Sequence, residues 1–171
     1  MEEKKTLFDE VASDTYDPSD RPFDFIGEGG KTALICESDP SIKAEIITTL
    51  KEMDYQITEI TSARDALKAM RFHVYDMVVL NENFDTDDPD TNNVLKYLEH
   101  LTMSTRRNIF VALVSNRFRT MDNMSAFNKS VNIIINMENI GDFGTIIKRG
   151  VTDNDSFYHV FKETMKKMGR I

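Results

Sequence analysis

From Lys31 onward, short apolar runs alternate with stretches of helical period. The runs at residues 32–36, 76–80, 109–114 and 131–135 are apolar almost throughout, as strands covered on both faces are, whereas 55–60 alternates. Between the first two runs, Asp39-Pro40 predicts a helix start. The carboxylate can cap free amides, and proline suits a first turn that needs no amide donor. Ile42, Ile46, Leu50 and Met53 then share one face. Ser62 with Asp65 has capping-box spacing ahead of Ala63, Ala66, Leu67 and Met70. A further helix carries Val94, Leu95, Leu98 and Leu101, and another at 121–129 turns Met124 and Phe127 inward. The remaining residues predict a short helix at 142–148 and a longer one at 155–168. In the latter, Phe157, Phe161 and Met165 face the core, and Tyr158 and Met168 face outward.

Strands alternating with helices predict an α/β fold: a flavodoxin-like, doubly wound, five-stranded parallel sheet of order 2-1-3-4-5 with helices on both faces. A functional site in such a sheet lies beyond the carboxyl ends of the strands. Here that rim is formed by the loops after Cys36, Leu80, Val114 and Ile135. Residues 1–30 show no sustained period and read as a flexible acidic leader, leaving 31–171 as the folded domain. Phe8, Val11, Phe23, Phe25 and Ile26 offer that leader apolar contacts should part of it dock.

Charge sharpens this division. The chain of 171 residues has a net charge of −8, and residues 1–30 hold −6 of it. An acidic chain is not expected to bind nucleic acid or anionic membranes. No apolar stretch approaches the roughly 20 residues that span a bilayer. The single cysteine, Cys36, lies in an apolar run, which predicts a buried thiol in a reducing, cytoplasmic setting and no structural zinc.

The rim residues have a recognisable order. Leu34-Ile35-Cys36-Glu37-Ser38-Asp39-Pro40 closes the first strand and Tyr75-Asp76-Met77-Val78-Val79-Leu80-Asn81 the third. Ser115 follows the fourth strand, and Asn136-Met137-Glu138 the fifth. From about Thr32 to Met168 this arrangement resembles the receiver domain of bacterial two-component response regulators. The resemblance implies an acidic pair at Glu37 and Ser38, the phosphorylated aspartate at Asn81 and the hydroxyl at Ser115. It also places the phosphate-binding lysine at Met137, a proline at Glu138 and the aromatic switch at Ile134.

Most of those positions carry the wrong chemistry. An amide is a far weaker nucleophile than a carboxylate and cannot give the acyl phosphate. Ser38 and Asn81 remove two carboxylate ligands for Mg²⁺, although Asp39 lies close by. Met137 lacks charge, and Ile134 lacks a ring. The expectation is a degenerate receiver: no catalytic residues, no metal, no cofactor, and phosphorylation-independent docking to a kinase, another receiver or an assembly component, with homodimerisation as a further arrangement. By the same resemblance, the outward face of the last helix, at Tyr158 and Met168, is the candidate interaction face. The alternative is a receiver-like regulator that binds a small ligand or metal through Glu37, Asp39, Asn81 and Ser115.

Other patterns are weaker. Gly27-Glu28-Gly29-Gly30-Lys31-Thr32 has Phe25 where a phosphate-binding loop needs glycine, and it precedes a strand rather than a helix. Asp85-Thr86-Asp87-Asp88-Pro89-Asp90 has Asp90 and Lys96 where a calcium loop needs glycine and glutamate. His73, His100 and His159 have no ligand spacing. Arg117 and Arg119 follow the fourth strand, where one of them could pair with Glu37 or Asp39 in place of the missing lysine and metal.

Overall fold

The computed structural model describes residues 6–14 and 30–171. Phe23, Phe25, Ile26 and most of the glycine-rich run lie outside the described residues. Five strands, β1 (Lys31–Cys36), β2 (Tyr55–Glu59), β3 (Met77–Asn81), β4 (Phe110–Ser115) and β5 (Ile133–Asn136), form one parallel sheet of order β2-β1-β3-β4-β5. The predicted fold class and strand order are those observed. β3 and β4 are buried along their whole length and β1 at all but its first residue. The edge strand β2 keeps exposed positions, which is why its sequence alternates.

Helices lie on both faces: α1 (Leu7–Ser13), α2 (Pro40–Glu52), α3 (Ala63–Phe72), α4 (Asn93–His100), α5 (Met103–Arg106), α6 (Asn123–Asn128) and α7 (Phe143–Lys167). Asp39 caps α2 by accepting from the Ser41 and Ile42 amides, and Ser62 caps α3 by accepting from that of Asp65. Strand pleating divides the apolar residues between two cores. Leu34, Cys36, Val78, Leu80, Val111, Leu113 and Ile134 pack with Leu67 of α3 and Leu98 of α4. Ile35, Val79, Ala112, Val114 and Ile135 pack with Ile46 and Leu50 of α2 and Phe143 and Ile147 of α7.

Four expectations change. The two predicted C-terminal helices are one 25-residue helix. Gly150 does not break it: a Cβ there would lie 3.0 Å from both Ile133 Cδ1 and Phe110 Cζ, so the glycine admits the sheet's side chains. Phe157 is 79% exposed rather than in the core, and Tyr158 is half-buried rather than outward. Helical register explains both. Tyr158 lies eleven residues, close to three turns, after the buried Ile147, whereas Phe157 falls about a quarter-turn aside. Met124 and Phe127 are exposed because α6 has only six residues and buries Ala126. Finally, Leu7–Ser13, assigned by composition to the leader, is a helix whose Val11 is buried against α3 and α4.

Candidate functional site

The carboxyl ends of β1, β3 and β4 bring Glu37, Asn81, Glu82 and Ser115 together, all buried. Glu37 Oε1 accepts from the backbone amides of Ser38 at 2.8 Å and Asp39 at 2.9 Å. Its Oε2 accepts from the Asn81 amide nitrogen at 2.8 Å. The Asn81 carbonyl oxygen accepts from the Asn83 backbone amide at 2.9 Å. Asn81 therefore uses its donor on Glu37 and its acceptor on its own loop. A carboxylate in its place would set two negative charges against each other in a buried site.

The second half of the rim is centred on Glu82. β3 and β4 align with Asn81 beside Val114, which brings Glu82 alongside Ser115. Ser115 Oγ donates to Glu82 Oε1 at 2.7 Å and accepts from the backbone amides of Arg117 and Phe118. Arg117 donates to Glu82 Oε2 through Nε at 3.1 Å and Nη2 at 2.9 Å. It also reaches Asp90, which Lys129 pairs with at 2.9 Å. The Glu82 carboxylate pushes the Arg117 guanidinium pKa up, and Lys129 followed by Arg117 holds the Asp90 carboxyl below its ordinary range.

This corrects the expected pairing of Arg117 or Arg119 with Glu37 or Asp39. Arg117 is directed to Glu82 because backbone amides and Asn81 already supply donors to Glu37. Glu82 was missed, although an acid directly after an apolar strand was its visible signal. Ser38 and Asp39 are exposed, and Asp39 serves its helix: the Ser41 hydroxyl and the Ile42 and Ser41 amides hold its pKa down. Ile134 is wholly buried beneath the rim, and Met137 is half-buried against the α2–α7 core. Glu138 is exposed, as is Met168 beyond the end of α7.

The donor set does not fit Mg²⁺, the ion that a receiver site implies. Both Glu37 oxygens and the Asn81 carbonyl already accept hydrogen bonds, and Ser38 brings a neutral hydroxyl where a second carboxylate is needed. Among the described residues no three His, Cys, Asp or Glu side chains form a metal-binding group. The acidic loop is instead structural. Asp85 accepts from the Ala63 amide, Asp88 caps the turn at Pro89–Thr91, and Asp90 joins Arg117 and Lys129. His73 hydrogen-bonds Thr32, and His100 the Lys96 carbonyl. Burial moves the Cys36 thiol far up in pKa, consistent with a packing role.

No protein-family model matches the chain, and no curated protein matches it in sequence. Solved structures do match. A CheY-like response regulator receiver domain from Methylobacillus flagellatus superposes with a TM-score of 0.52 at 20% identity, covering 70% of this chain and 98% of that one. A CheY-like receiver domain protein from Methanospirillum hungatei gives 0.56 at 15% identity, covering 74% and 97%. The receiver domain of a Francisella response regulator gives 0.55 at 16% identity, covering 72% and 98%. The chain has the receiver fold. At these identities the likeness defines architecture and leaves function to the residues of this chain.

Proposed function

We propose that this protein is a receiver-type signalling module that works by docking, without aspartyl phosphorylation and without catalysis. The observation that carries the reading is the 2.8 Å hydrogen bond from Asn81 to Glu37, which joins the acceptor and acidic positions to each other. The occupied Ser115 hydroxyl, the uncharged Met137 and the ringless Ile134 support it. Its partner is another signalling protein, a kinase, receiver or assembly component, in the cytoplasm. The face of α6, β5 and α7 is one docking candidate, because Phe127 and Phe157 leave aromatic surface exposed there beside Tyr158.

NMR of the ¹⁵N-labelled protein with Mg²⁺ and beryllofluoride or a small phosphodonor tests this. The expected spectra show no saturable shifts at Asn81, Glu82 or Ser115. Saturable shifts centred there would overturn phosphorylation independence. The ligand-binding alternative receives less support, because Glu37 and Asn81 spend polar groups on each other and on the backbone, Ser115 bonds Glu82 and two backbone amides, and Asp39 caps α2.

A further inference from the structure

α1 is a short helix with one apolar side and an acidic remainder: Leu7, Phe8 and Val11 against Asp9, Glu10 and Asp14. Thr6 and Asp9 form a reciprocal capping box at its start. Seven residues are too few to hold a helix in water, so tertiary contacts keep it formed. Those contacts come from α3 and α4. Val11 is buried, Leu7 and Phe8 pack on the same core, and the Phe8 ring lies 6.4 Å from that of Tyr97.

The polar contacts are directional. Arg64, Lys68 and Arg71 lie at i, i+4 and i+7, a basic row along one side of α3. Arg64 pairs with Glu10 at 3.3 Å and Asp14 at 2.9 Å, and Lys68 with Asp14 at 3.2 Å. Arg71 donates to the Val11 carbonyl at 2.6 Å and the Asp14 carbonyl at 3.3 Å, the negative end of the α1 dipole. Among the described residues, every ion pair of Arg64 and Lys68 is made with α1 or its C-cap residue Asp14. The fit is nevertheless incomplete. A cavity of about 140 Å³ remains between Phe8, Val11 and Ala12 on one side and Leu67, Arg71 and Tyr97 on the other.

The geometry points to the α3–α4 groove as a docking site for an acidic amphipathic helix of a partner protein, with α1 as the occupant that must leave. The groove's charge and apolar floor define the partner, and α1 displays the chemistry that fits. The unfilled space is where a partner gains its advantage. A side chain larger than Ala12 would bury apolar surface that α1 leaves open. The advantage is needed, because a tethered helix competes at an effective concentration on the order of millimolar. This inference rests on the docking reading above, but its test addresses the groove and the phosphodonor experiment the rim, so either can fail alone.

The probe is a stapled helical peptide of residues 6–14 carrying Leu at position 12, titrated into the ¹⁵N-labelled full chain. The Val11→Asp chain, with α1 released, is expected to bind saturably, with shifts at Leu67, Lys68, Arg71 and Tyr97. The wild-type chain should need at least about tenfold more peptide, because α1 reduces the competent fraction. The corresponding peptide with Ala at position 12 should bind about tenfold more weakly. Reversing Arg64 and Arg71 to Glu in the released chain should abolish binding, as should replacing the peptide's three acids with Lys. Asp14→Lys provides a second release variant, should Val11→Asp disturb the core. Equal affinity for wild-type and released chains, or no binding by a folded released chain, overturns the inference. A wild-type dimer lost on Val11→Asp would instead assign the groove to α1 of a second copy, overturning the partner assignment.

Discussion

The substitution Asn81→Asp tests how the rim is balanced. The substitution removes the donor in the 2.8 Å bond to Glu37 Oε2 and places a carboxylate there, at a position only 7% exposed. A hydrogen bond to a charged acceptor contributes about 1.5–3 kcal/mol. A like charge at that separation raises the new carboxyl pKa, and each unit of rise costs about 1.4 kcal/mol at neutral pH. Together they predict a loss of about 3–4 kcal/mol at pH 7. For a domain of this size, that lowers Tm by roughly 6–15 °C. The pH dependence has a definite sign. With its folded pKa raised, the new acid destabilises fully above that value, and the penalty fades as pH falls towards the unfolded value near 3.9. Thermal unfolding of both chains by circular dichroism from pH 4 to 8 measures this. A variant as stable as wild type at pH 7, without added Mg²⁺, would show that the Asn81–Glu37 bond does not hold the rim together.

Three further outcomes follow from the same geometry. Arg117→Ala leaves Glu82, 1% exposed, with only the Ser115 hydroxyl as a side-chain donor among the described residues, so denaturant unfolding should show a loss of about 2–4 kcal/mol. Burial lowers the His73 pKa, so the folded state favours the neutral ring. Its contribution is present above the unfolded value near 6.5 and is lost as pH falls through the lower folded value, so His73→Gln should flatten the stability profile below 6.5. Cys36, buried with its thiol pKa raised, should react with a thiol reagent only on unfolding, in a rapid-mixing labelling assay.

The sheet was legible because its central strands are apolar on both faces, so each run of five or six residues identified itself. The Glu37–Asn81 position could be found because strand order fixes which residues end at the rim. Glu82 and Arg117 could not be paired in advance, since their meeting depends on the β3–β4 register and on the path of a loop. α1 escaped because two turns of amphipathic sequence barely differ from irregular chain. The continuity of α7 was hidden by Gly150, whose role is visible only once Phe110 and Ile133 stand against it. Phe157 shows the limit of spacing rules: a four-residue repeat drifts around a helix, and only the anchored end says which residues it carries inward.

α7 is about 37 Å long, yet its fully buried residues, Phe143 and Ile147, lie within its first two turns. Its later turns hold half-buried residues such as Tyr158, Phe161 and Met165, and Arg107 lies over the Phe161 ring at 4.4 Å. One continuous helix therefore spans two regimes of local stability. Amide protons near Ile147 are expected to exchange only when the sheet itself opens, and those beyond Met165 by fraying. Between them lies a boundary set by packing alone, with no break in the backbone to mark it.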